Sequence, residues 1–209
     1  MRDAHIKAWT RDAHVPAAML ESLRELNHRF LDLICLEADQ WHSSVRTMLP
    51  KELCGRIAPL SAAQKKAAAA CPYALFDLRF QDDAYWRTRL QNSSAWAVAD
   101  DAVLEQNLLN FVRLALFFAW HVAASGKLAA PLLLGMSEAT AAAFGGVTID
   151  CLPALVASEA PNLTARWSSS SIYWRALSGA ASRPNCSELR RIQLYGLQLA
   201  AAARLEAGR

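Results

Sequence analysis

The side chains able to do chemistry in this sequence are dispersed. Five cysteines stand at positions 35, 54, 71, 151 and 186, and five histidines at 5, 14, 28, 42 and 121. Zinc ligands usually come in pairs roughly two to four residues apart, and no two of these cysteines are that close. A set built from His42, Cys54 and Cys71 lacks such a pair, so no metal and no cofactor is expected. Single cysteines on apolar segments behave as small hydrophobes in a reduced, cytoplasmic protein. His5 and His14 close an echo, Arg2-Asp3-Ala4-His5 and Arg11-Asp12-Ala13-His14, whose spacing is too long to chelate one ion and reads as a solvated lead.

The carboxylates do not converge either. Asp82-Asp83 and Asp100-Asp101 are neighbours in sequence, so on a helix their side chains diverge, and capping is the expected role. The sequence holds no GxGxxG, no phosphate loop ending in Lys-Ser, no HExxH and no GxSxG. Without a converging acid, base and nucleophile, the expectation is a non-enzymatic protein.

Binding residues are better represented. Arg183, Arg190 and Arg191 lie around the start of the last predicted helix, where backbone N–H groups favour phosphate, so they are the candidate nucleic-acid contacts. The plainer reading is a solvated helix face, and Lys65-Lys66 reads as solubility alone. A net charge of +3 permits a local basic patch without requiring one. Of the seven tryptophans, Trp86, Trp167 and Trp174 are expected in the core. Trp9, Trp41 and Trp96 fall near predicted loops and are the candidate partner-binding residues, because tryptophan anchors interfaces.

The elements that must position these residues are helical. The chain of 209 residues is 54% hydrophobic with only 8 Gly and 8 Pro, and its alanine-rich runs favour an all-α fold. Leu20, Leu23, Leu26, Phe30, Leu33 and Ile34 build one apolar stripe from about Ala17. Pro50 and Pro59 bracket a short helix; Ser61 with Gln64 forms a capping box, and Pro72 ends the helix that follows. Phe76 to Phe80 and Leu163 to Trp167 alternate apolar and polar, as short extended segments do. Leu108 to Ala124 is the most apolar stretch, but it contains Arg113 and His121 and is shorter than the roughly 20 residues of a bilayer span, so a buried central helix is expected rather than membrane insertion. Ser137 and Thr148 read as N-caps, and Pro161 as a stop. Ser187-Glu188 opens a C-terminal helix whose Leu189, Ile192, Leu194, Leu197 and Leu199 are expected to face inward or toward a partner chain.

The sequence also repeats itself. Arg79-Phe80 precedes Tyr85-Trp86-Arg87, and Arg166-Trp167 precedes Tyr173-Trp174-Arg175; Arg79 and Arg166 are 87 residues apart, Tyr85 and Tyr173 are 88 apart. Leu60-Ser61 falls opposite Val147-Thr148, and Leu26-Asn27 opposite Leu109-Asn110. So long a period points to a duplicated domain-sized unit rather than a solenoid. The expected organisation is a polar lead over 1–16, a first helical unit over 17–91, a linker or helix over 92–107 and a second unit with the C-terminal helix over 108–209.

Leu109-Asn110, Leu134-Gly135-Met136-Ser137-Glu138, Val147-Thr148-Ile149, Leu152, Leu155, Leu163 and Arg166-Trp167 together resemble the FlhD subunit of the bacterial flagellar master regulator. Leu189-Arg190-Arg191-Ile192 is similar to that family's last helix, and the first half matches more weakly. The resemblance implies a dimeric helical fold that, with a zinc-containing FlhC partner, activates transcription on DNA. Two copies in one chain would then form an intramolecular pseudo-dimer. A helical adaptor of a secretion or motility apparatus, without DNA, is the alternative.

Overall fold

The computed structural model describes residues 15–39, 49–91, 106–126, 128–183 and 186–207. Within them the protein is all-α, with ten helices and one two-stranded sheet. Trp9, Trp41 and Trp96, with most of the polar lead and of the 92–107 linker, lie outside the described residues.

Helix α1 (Ala17–Asp39) buries the predicted stripe, with Leu23, Phe30 and Ile34 almost fully enclosed. Asn27 interrupts that stripe and is itself fully buried. Its Nδ2 donates to the Ala69 and Tyr73 carbonyls at 3.2 and 2.9 Å, and its Oδ1 accepts from the Leu75 N–H at 2.8 Å. One amide thus satisfies three backbone groups of an irregular buried segment, which would otherwise each cost about 1–3 kcal/mol. Asn110, its expected counterpart, is instead exposed and accepts from Gln106 at 3.0 Å. That pairing of positions therefore does not extend to their environments.

Helix α2 (Lys51–Ile57) and helix α3 (Ala62–Ala69) pack on α1. The Ser61/Gln64 capping box forms as expected, with both reciprocal bonds in place. After strand β1 (Phe76–Asp77), helix α4 (Asp83–Gln91) starts where the Asp82 carboxylate accepts the Tyr85 N–H at 3.0 Å. That bond holds the Asp82 carboxyl below its ordinary value.

Helix α5 (Gln106–Ser125) is the predicted central helix, buried through Phe111, Val112, Leu116, Ala119 and Val122 and packed on α1. Its length and composition would also allow a membrane crossing, but this apolar face is occupied by protein. Then come α6 (Ala129–Leu133), α7 (Glu138–Gly145), a 3-10 turn at Ile149–Cys151 and α8 (Leu152–Glu159). Ser137 caps α7 by accepting the Thr140 N–H at 2.9 Å. Thr148 does not cap α8 as expected: the 3-10 turn intervenes, and its hydroxyl meets the Cys151 thiol at 3.6 Å. A second 3-10 turn, Ala160–Asn162, contains Pro161 and leads to strand β2 (Thr164–Ala165), helix α9 (Ser171–Ala181) and helix α10 (Cys186–Ala207).

The two extended segments, read separately in the sequence, pair with each other. β1 and β2 are antiparallel, with Phe76 opposite Ala165 and Asp77 opposite Thr164. The connections then cross over. α4, which follows β1, packs on α7, whereas α9, which follows β2, packs on α2 and α3. Trp86 of α4 stacks with Phe80 and lies 4.7 Å from the Phe144 ring of α7. Trp174 of α9 fills a site beside Leu31, Ile57, Leu60 and Ala68, leaving no room for a water molecule. Both indoles are fully buried, and each donates eight residues back, Trp86 to the Leu78 carbonyl and Trp174 to the Arg166 carbonyl, at 3.0 Å.

The chain bends identically before each tryptophan. Arg79 and Trp167 take φ of +56° and +54°, conformations that cost a side chain of this size on the order of 1–2 kcal/mol. The spacing of 88 that separates the two tryptophans also separates these bends, whereas Arg79 and Arg166 stand 87 apart.

Candidate functional site

The three arginines flagged by the sequence lie at the N-terminal end of α10, but they are not equivalent. Arg183 precedes the helix and is paired with Glu188 at 3.2 Å. Arg190 and Arg191 occupy the second turn and are exposed, with no ion pair among the described residues.

What holds α10 in place is a buried polar cluster that sequence reading missed. The Tyr73 hydroxyl lies 3.0 Å from the Tyr173 hydroxyl and donates to the Gln193 carbonyl of α10 at 3.0 Å. Gln193 Nε2 donates in turn to the Ala67 carbonyl at 3.1 Å. Gly196 lets this happen: a Cβ there would fall 1.9 Å from the Tyr73 oxygen, so the helix approaches only because the residue has no side chain. Cys71 adjoins the pair, with its Sγ 3.9 Å from the Tyr173 hydroxyl. Burial pushes its thiol up to about 11 and raises both phenols, so all three stay protonated at neutral pH. The signal available in the sequence was a glycine inside a helical pattern.

With its inner face committed through Leu189, Ile192, Gly196, Leu199 and Ala200, α10 shows a second face to solvent. Leu194 is 55% exposed, and Tyr195 and Leu197 are each 37% exposed. Of the two orientations expected for these leucines, inward or toward a partner chain, Leu189, Ile192 and Leu199 take the first, whereas Leu194 and Leu197 reach solvent. At 100° per residue Leu194 lies opposite the inner face and Leu197 at its margin, on the side carrying Arg190.

Two other polar centres are inward-looking. Glu159 is fully buried; its carboxylate accepts from the Tyr85 hydroxyl at 2.8 Å and from Asn162 at 3.0 Å and forms an ion pair with Arg89 at 3.1 Å, tying α4 to α8. Arg166 is 8% exposed and lies over the Trp167 ring at 4.7 Å, in the field of the half-buried Asp77. Desolvation lowers the guanidinium and raises the Asp77 carboxyl. Gly135, at φ +70°, is required beside it, since a Cβ would sit 2.1 Å from Arg166 Nη2. Each centre joins elements from distant parts of the chain.

Among the described residues no group of three His, Cys, Asp or Glu side chains could hold a metal ion. Cys54 and Cys71 are separately buried, and His42 lies outside the described residues. Compared with known proteins, the chain matches no family model, no curated protein and no solved structure.

Proposed function

We propose that the protein is a non-enzymatic, FlhD-like regulator in which two related helical units, fused in one chain, fold as an intramolecular pseudo-dimer and act through a protein partner. The observation that carries this reading is the crossing of α4 and α9, each completing the core of the opposite unit. In a two-fold interface residue i meets j and j meets i. The contacts here obey that rule at a separation of 88. The β1–β2 register, the left-handed bends at Arg79 and Trp167 and the two indole bonds all map onto one another. So do the tyrosines: Tyr85 meets Glu159, and Tyr173, 88 residues on, meets Cys71, 88 residues before Glu159.

A dimeric unit with no converging acid, base and nucleophile is suited to presenting surfaces, and the family resemblance makes the recipient a regulatory partner. DNA contact belongs to the assembled complex rather than to this chain alone. With Arg183 engaged by Glu188, two arginines remain, and two phosphate contacts give only weak binding with a log-log salt slope of about −2. The adaptor reading without DNA is favoured by the small number of arginines at the start of α10 left without an ion pair.

One experiment separates the two. The tagged chain is crosslinked in its own cell, and the recovered protein and DNA are both sequenced. Discrete promoter segments enriched together with a protein partner are the expected result. Apparatus components with no enriched DNA would replace the regulator by the adaptor.

A further inference from the structure

We propose that the outer face of α10 is the docking surface for the partner, and that the partner contributes an acidic amphipathic helix. This rests on the reading that the chain acts through a protein. Leu194, Leu197 and Ala201 stand at i, i+3 and i+7 and are all exposed, the spacing by which one helix anchors in another's groove. Arg190 lies one turn before Leu194 on the same stripe, and Arg191 flanks it. The platform is rigidly set, because the opposite face is fixed by the Tyr73–Gln193 bond and the close approach at Gly196.

Charge identifies the occupant. A second copy of this chain would bring to the face the same two arginines, and the nearest carboxylate, Glu188, is already engaged by Arg183. Self-pairing would therefore bury cations without counter-charges, which is costly. Nucleic acid would meet three exposed apolar side chains where a phosphate-binding face needs donors. A helix carrying leucines along its seam and carboxylates at its margins satisfies both the apolar stripe and the arginines.

The test uses the full chain and two labelled designed peptides of about three heptads, with leucine at the seam positions. One carries glutamate at the flanking positions, the other lysine. Fluorescence anisotropy should show the glutamate peptide binding roughly tenfold or more tightly than the lysine peptide. Joint Arg190→Glu and Arg191→Glu substitution should reverse that preference. Joint Leu194→Ser and Leu197→Ser substitution should abolish binding of both peptides while the helical circular-dichroism spectrum is kept, since Leu194 is 55% and Leu197 37% exposed and neither is a core residue.

Equal binding of the two peptides, no binding of the glutamate peptide, or indifference to the leucine substitutions overturns the proposal. Self-association of the unmodified chain that the leucine substitutions abolish assigns the face to a second copy instead. Duplex DNA binding that needs the arginines but not the leucines assigns it to nucleic acid. A cellular partner that stays crosslinked to the leucine variant would leave the regulator reading standing while removing this surface from it.

Discussion

Cys71, Tyr73 and Tyr173 make an acid-insensitive but alkali-sensitive joint between the body of the protein and α10. Burial raises the Cys71 thiol from 9.0 to about 11, and the two phenols rise as well. Between those limits the unfolded chain has released a proton that the native chain still holds, so stability must fall as pH climbs. For Cys71 the contribution is complete below 9.0 and is lost as pH rises through about 11, on the order of 3 kcal/mol in all. Denaturant midpoints are therefore expected to hold steady from neutral pH to about pH 9 and to drop steeply above it. The same burial should shield the sulfur. Under native conditions iodoacetamide should modify the exposed Cys186 and leave Cys71 untouched until the chain unfolds. Modification of both at one rate, or a flat stability profile into alkali, would show that the cluster is open to water. In the isolated sequence only Gly196, a glycine inside a helical pattern, marks this joint, because its partners are up to 120 residues apart and a buried tyrosine reads like any other aromatic.

At the scale of elements, local signals survived and long-range ones did not. The Ser61/Gln64 box, the Ser137 cap and the α1 stripe follow from neighbours within a few residues, so they could be read directly. The pairing of β1 with β2 and the exchange of α4 and α9 depend on which of several apolar faces meet, and composition does not encode that choice. The same ambiguity left the leucines of α10 open between the core and a partner chain: a helix with leucine on both faces has no unique inward direction by periodicity. The exchange has a measurable consequence. Removing a buried tryptophan costs about 3–5 kcal/mol, and here the loss should appear in the opposite unit. Trp86→Ala should speed amide exchange first in α7, and Trp174→Ala first in α2 and α3, as read by hydrogen exchange with mass spectrometry. Loss of protection confined to α4 or α9 themselves would mean that neither tryptophan supports the other unit's core.

For the whole molecule, the packing of α4 on α7 and of α9 on α2 and α3 makes the N-terminal and C-terminal halves of the chain mutually dependent. α1 and α5 form the centre, with Phe30 5.5 Å from Phe111, and both rings meet Phe76. A single core of this kind cannot be divided at residues 92–105 without leaving Trp86 and Trp174 on the wrong sides of the cut. The covalent link there should matter little once folding is complete, since its main contribution is to keep two complementary pieces at high effective concentration. A specific protease site placed between residues 92 and 105 of the full chain, and cleaved after folding, tests this. The two fragments should co-elute as one particle of the uncut size, unfold in one cooperative transition, and separate only in denaturant. After dilution out of denaturant, their refolding should become concentration-dependent, because a unimolecular step has become bimolecular. Fragments that separate under native conditions, each keeping its helical content, would show two self-sufficient domains. They would remove the exchanged pseudo-dimer, and with it the main physical support for placing this chain among dimeric regulators.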